Sequence, residues 1–144
     1  MLAIMVRKSD GPVHLTEEEG YIGNIEVTSV GMEGDELMIT VEVRLDSDSQ
    51  MTVLKNEQEM PVIDGKTEMK LGRLKDRVSF ADSVDGAPLG FFRFMELRTS
   101  HGGSVVLGFN MNTSINVLRD TVWKGREKIR QPVSESFWDK RPQA

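Results

Sequence analysis

The chain has 144 residues, no cysteine and a net charge of −5, so it makes either one ordinary domain or two very small ones that must share a core, because a module of about 60 residues buries too little surface to stand alone. Without thiols there is neither a disulfide framework nor a thiolate metal site, and a reducing cytoplasm is the expected compartment. The apolar run at residues 2–6 is too short for a signal-peptide core, and no longer run exists to suggest a membrane span.

Alternation with a period of two dominates the chain. Residues 2–8 read as a short strand ending in Arg7 and Lys8. Residues 25–30 are β-rich. Leu37, Ile39, Val41, Val43 and Leu45 then alternate with Met38, Thr40, Glu42 and Arg44, the pattern of a half-buried strand. Residues 31–35 between these two runs carry turn chemistry, giving a hairpin. Asp46-Ser47-Asp48-Ser49 lacks the glycine and the distant glutamate of a calcium loop and is read as a turn. A short alternating strand, 51–55, ends in Lys55; Pro61 and Gly65 punctuate the segment after it. The second half repeats this order: a strand over 69–75 containing Arg73 and Lys75, a hairpin of 91–98 and 104–110 about a glycine-containing turn, and an alternating strand ending in Arg119. Residues 120–130 read as a helix with Val122, Trp123 and Ile129 as its apolar positions, stopped by Pro132.

The expected organisation is therefore all-β with one C-terminal helix: a first repeat at 1–60, a linker at 61–66, a second repeat at 67–131 and a tail at 132–144. The repeats differ in charge. Residues 1–72 hold 6 Lys/Arg against 15 Asp/Glu, or −9, whereas residues 73–144 hold 12 against 8, or +4. Arg119, Lys124, Arg126, Lys128 and Arg130 cluster around Trp123. Screening over about 8 Å lets such a patch face phosphates while the acidic half lies elsewhere. Trp123, Phe91, Phe92 and Phe94 are read as packing residues. With His14 and His101 the only histidines, no metal site is expected. No phosphate loop, nucleophile elbow or zinc-ligand spacing is present, so neither an enzyme nor a cofactor is expected.

Several short motifs resemble one family. Gly103-Ser104-Val105-Val106-Leu107-Gly108-Phe109-Asn110, then Ile115-Asn116-Val117-Leu118-Arg119-Asp120 and a helix, is similar to the core of the carbon storage regulator (CsrA/RsmA) family: a glycine turn, a strand running into Gly-Val-Asn-Ala-Pro, a strand ending in Val-His-Arg-Glu-Glu, and a helix. Leu71-Gly72-Arg73-Leu74-Lys75 and Val78-Ser79-Phe80-Ala81-Asp82 resemble that family's opening segments, as do Met1-Leu2 and Arg7-Lys8 in the first half, where Val53-Leu54-Lys55-Asn56-Glu57 takes the Val-His-Arg-Glu-Glu place. The departures are Met111 and Asn112 in place of Ala-Pro, a longer segment at 83–90, and loss of the Gly-Val-Asn-Ala-Pro pattern from the first repeat, which reads Val43-Arg44-Leu45-Asp46-Ser47.

The resemblance implies two five-stranded repeats forming an intertwined pseudo-dimer, with the first strand of one copy beside the last strand of the other and RNA bound along those edges. One RNA-binding site would join Arg7 and Lys8 to Arg119, and the other would join Arg73 and Lys75 to Lys55. The arginine-rich site is expected to be the stronger, since a guanidinium engages phosphate or guanine through a planar fork and stacks on bases whereas an ammonium is a point charge. The ligand implied is a guanine-guanine-adenine triplet in an RNA hairpin loop, and the consequence a block to translation initiation. The alternative is a non-catalytic scaffold or decoy, viral or from a mobile element, that holds a protein partner through the acidic N-terminal half. Either a closed monomer or a swapped homodimer is compatible with this organisation.

Overall fold

A computed structural model describes residues 2–7, 10–18, 20–99 and 103–125. The fold is all-β, with a short helix following the last strand. The strands are β1 Leu2–Val6, β2 Val13–Glu17, β3 Gly20–Glu33, β4 Glu36–Leu45, β5 Met51–Lys55, β6 Gln58–Glu59, β7 Lys66–Gly72, β8 Val78–Asp82, β9 Pro88–Arg98, β10 Ser104–Met111 and β11 Ile115–Arg119. Helix α1 starts at Asp120 and is described over 120–125; the remainder of the expected helix and the 132–144 tail lie outside the described residues. Among the described residues, no helix is long and apolar enough to cross a membrane.

The strands form two antiparallel sheets in the orders β1-β10-β9-β8-β5-β6 and β11-β2-β3-β4-β7. Each sheet mixes the halves. The β8-β9-β10 meander of the second half is flanked by β1 and β5 of the first, and the β2-β3-β4 meander of the first half by β7 and β11 of the second. The ladders also correspond in register. Val13 lies opposite Ile25 and Arg119 in one sheet, while Val78 lies opposite Phe92 and Lys55 in the other. A glycine occupies the matching position of each long strand, Gly23 opposite Leu45 and Gly90 opposite Met111. A β-carbon at Gly23 would collide with the Arg44 carbonyl, and one at Gly90 would come within 2.6 Å of the Asn110 carbonyl. Close backbone approach explains glycine at both places.

Strand alternation decides what enters the core. Ile39, Val41 and Val43 of β4 are buried, while Thr40, Glu42 and Arg44 face outward. Among the described residues, one core cluster joins both sheets. In the β8–β10 sheet it contains an aromatic stack, Phe92 lying 6.0 Å from Phe80 and 5.3 Å from Phe109 between ring centroids. Such offset pairs add about 0.5–1.5 kcal/mol each beyond area burial. Phe92 and Phe94 pack inside as expected, but Phe91, between them and Gly90, points to the outer face and is only half-buried.

Several boundaries move from the sequence expectation. The β3–β4 turn is confined to Gly34-Asp35, because Gly31 to Glu33 continue the ladder to a Glu33–Glu36 pairing. The strand expected over 69–75 begins at Lys66 and stops at Gly72, leaving Arg73, Leu74 and Lys75 in a turn. Leu74 there adopts a φ of 58°, incompatible with a continuing strand. The 61–66 linker is a turn closed by pairing of Ile63 with Lys66.

Candidate nucleic-acid interface

The described cations singled out in the sequence lie at two corners of the fold, Arg7 and Arg119 at the ends of β1 and β11, and Lys55, Arg73 and Lys75 at the ends of β5 and β7. At the first, β1 and β11 are not ladder partners: β1 pairs with β10, and β11 with β2. They are edges of different sheets, brought side by side where the sheets meet. A cavity of about 90 Å³ between them is walled by Ile4, Met5 and Val6 of β1 and by Arg119 and Asp120. Arg119 shares its side of β11 with Ile115 and Val117 and lies opposite buried Val13, so alternation turns it toward the inter-sheet edge. Arg7 follows Val6 and lines a second cavity of about 410 Å³, together with Val27, Val30 and Leu97. Its backbone is fixed by Asp10, whose carboxylate accepts from the Arg7 N–H at 2.9 Å and whose own N–H donates to the Arg7 carbonyl at 3.0 Å. Val6 is common to both cavities. Both arginines are exposed, and among the described residues neither guanidinium forms an ion pair. Lys8 lies outside the described residues.

The second corner, where β7 meets β5, has the same placement and a different charge balance. Lys55 lies opposite Val78 as Arg119 lies opposite Val13. Buried Asp76 ties this corner together, accepting from the Gly72 N–H at 2.6 Å and from the Asn56 amide at 2.7 Å, while Asn56 in turn accepts from the Arg77 N–H at 2.9 Å. Burial alone would raise the Asp76 pKa. The Gly72 and Asn56 hydrogen bonds, with the nearby Lys55 and Lys75 charges, outweigh it and hold the carboxyl below its ordinary range. Lys75 reaches Glu36 at 3.2 Å, and Lys70 pairs with Glu33. Arg73 is exposed and, among the described residues, without an ion-pair partner. Of the three cations expected here, Lys75 is thus paired with the acidic first-half hairpin, whereas neither Arg7 nor Arg119 at the first corner has an ion-pair partner among the described residues.

A polar cluster at the first corner is not legible in the sequence. His14 is buried on β2. Its Nε2 lies 2.7 Å from Asp120 Oδ1, and its Nδ1 contacts the Tyr21 hydroxyl, which also accepts from the Asn24 amide at 3.1 Å. The geometry places the Nε2 N–H to donate to Asp120 and puts Nδ1 within hydrogen-bond reach of Tyr21. Trp123 completes the cluster, its ring 5.5 Å from His14 and 4.9 Å from Tyr21. Asp120 also receives Lys124 Nζ at 3.0 Å. Burial opposes ionisation of Asp120, but hydrogen bonds from His14 and Lys124, with their charges, draw its pKa below the usual carboxylate value. This cluster fixes the start of α1 against β2. Trp123 is therefore an anchor, as expected, and the helix leaves the corner beside Arg119. Arg126, Lys128 and Arg130 lie outside the described residues.

Among the described residues, no group of three His, Asp or Glu side chains is arranged to hold a metal ion. Compared with protein-family models, curated proteins and solved structures, the chain matches none.

Proposed function

We propose that this chain is a non-catalytic RNA-binding regulator in which two diverged repeats, similar to those of the carbon storage regulator family, form a pseudo-dimer within one polypeptide. The observation that carries this reading is the mixed strand order. Each three-stranded meander is completed by the opening and closing strands of the other half, an interleaving that resembles the intertwining of family subunits, although β1 and β11 are edges of different sheets and not the paired edges expected. The matching registers and the paired glycines Gly23 and Gly90 support descent from one repeated unit. RNA binding along the corner of β1 and β11 is supported by two exposed arginines, each lining a cavity that Val6 also lines and neither forming an ion pair among the described residues.

In this reading the two corners are unequal. Arg7, Arg119 and, from the sequence, Lys8 form the working site for a guanine-guanine-adenine loop, and occupancy near a ribosome-binding site blocks translation. Lys55, Arg73 and Lys75 form a weaker counterpart, because Glu36 and Asp76 offset its charge. The pairing of Lys75 with Glu36 of the acidic first half also favours a second reading for that corner: a scaffold that holds a protein partner.

Binding to an RNA hairpin with guanine-guanine-adenine in its loop, against a scrambled loop, tests the proposal with the parent chain and Arg119→Ala across a salt series. Loop-specific binding weakened by about 1–3 kcal/mol in Arg119→Ala is the expected result. Equal, weak binding to both hairpins would overturn the regulator reading in favour of the scaffold.

A further inference from the structure

The outer face of the β8–β10 sheet carries a group of residues that neither corner uses. Phe91 and Arg93 project from β9 on this face. Val78 lies opposite Phe92, so Arg77, one residue before Val78, is the cross-strand neighbour of Arg93, one residue after Phe92. Both guanidiniums approach the same ring: the central carbon of Arg77 lies 4.4 Å from the Phe91 centroid and that of Arg93 lies 5.7 Å from it. Beyond Arg93 the floor is flat, since Gly108 lies opposite it on β10 and Ala3 lies opposite Gly108 on β1.

Two cations side by side on a sheet repel one another, and little offsets this pair. Glu57 is 3.5 Å from Arg77 and its side chain is 80% exposed, a geometry that contributes little. Among the described residues, Arg93 Nε is buried with no hydrogen-bond partner. The matching face of the other sheet has the opposite character. There Asn24 and Glu26 stand at the places of Phe91 and Arg93, and Glu42 at that of Gly108, with Arg44 held by Glu26 at 2.8 Å and by Glu42 at 2.6 Å. That face pairs its central arginine with two carboxylates. The other presents a guanidinium pair, an aromatic ring and a floor of small residues.

We propose that this face binds single-stranded RNA, with Arg77 and Arg93 on successive phosphates and the guanidinium planes over Phe91 offering a surface on which a base stacks. A planar base fits a glycine and alanine floor, and paired arginines beside an aromatic ring match the alternation of phosphate and base along a single strand. The occupant is the strand flanking the loop triplet. The inference rests on the proposed RNA function but uses different residues and reads no sequence.

The test is fluorescence anisotropy with labelled oligouridine, which lacks the triplet, on the full chain between about 50 and 200 mM salt. Arg77→Gln with Arg93→Gln is expected to weaken binding by about tenfold and to make the salt slope shallower by about 0.7 for each phosphate contact removed. Arg77→Lys with Arg93→Lys retains the slope and loses affinity, because the charge remains and the planar stack does not. Glu57→Gln, a change on an exposed turn that leaves both arginines in place, tightens binding about twofold. Thermal melts establish that each variant is folded. No oligouridine binding by the parent, an unchanged slope in the double glutamine variant, or competition by polyglutamate as strong as by oligouridine overturns the inference; the last outcome assigns the face to an acidic protein. Loop discrimination in the hairpin assay is read separately, so failure of the triplet reading is distinguishable from failure of this one.

Discussion

Cutting the chain within the 61–66 turn and producing the two halves separately tests the central feature of the fold. In the isolated first half, β1 loses β10, β5 loses β8, β4 loses β7 and β2 loses β11. Ile4, Val6 and Val53, at 4%, 8% and 0% exposure in the whole chain, would lose their neighbouring strands and the second-half side of the core. At about 1.5–3 kcal/mol for each buried aliphatic side chain, their exposure costs about 5–9 kcal/mol, before the lost ladder hydrogen bonds are considered. The second half loses the burial of Met69, Leu71 and Ile115. Since a domain has only about 5–15 kcal/mol in total, neither half should fold as a monomer. Far-UV circular dichroism and light scattering on each half, and on their mixture, provide the assay. The mixture is expected to regain β structure as a one-to-one complex, and a folded homodimer of either half would be the same strand exchange made between copies. A half that is monomeric, folded and cooperative in denaturant would refute the reasoning.

Packing and electrostatics give three more expected outcomes. Phe92→Ala removes the central ring of the Phe80–Phe92–Phe109 stack and should cost about 3–5 kcal/mol, read as a lower denaturant midpoint with an unchanged m-value. His14→Ala leaves buried Asp120 with Lys124 as its remaining side-chain partner; a loss of about 1–3 kcal/mol should accompany a collapse of the near-UV signal from the Tyr21 and Trp123 rings. The carboxyls of Asp76 and Asp120 both titrate below their ordinary values in the folded chain. Their contribution is therefore fully present above a pH of about 4, the unfolded value, and is lost as the pH falls through the folded values. Denaturation curves between about pH 5 and pH 2 should show stability falling with acid, and Asp76→Asn with Asp120→Asn should flatten that fall.

Much of the local structure is legible in the sequence because alternation is a local signal. The pattern from Leu37 to Leu45 fixes which side chains of β4 are buried, whatever strand lies beside it. The repeated order of hairpins and of short strands ending in Lys55 and Arg119 is likewise visible in residues close in sequence. Strand β2 escapes such a reading because Val13-His14-Leu15-Thr16 is short and carries a histidine at a buried position, where composition argues against burial. Phe91 reads as a core residue because its type favours the interior; one step of the pleat turns it outward.

Composition and periodicity by themselves determined that the chain is β-rich and that the charges of its two halves differ. They did so because a strand's face depends on neighbours one and two residues away. Which edges would meet was decided only in three dimensions. A ladder is made of backbone groups common to every residue, so the pairing of β1 with β10 rather than with a strand of its own half comes from the shared core. The His14–Asp120 contact spans 106 positions, and the Arg77–Phe91–Arg93 group depends on the registers of two strands. No local pattern announces either. Tertiary structure also divided the cations, leaving Arg7 and Arg119 exposed at one corner while first-half carboxylates met Lys70 and Lys75 at the other.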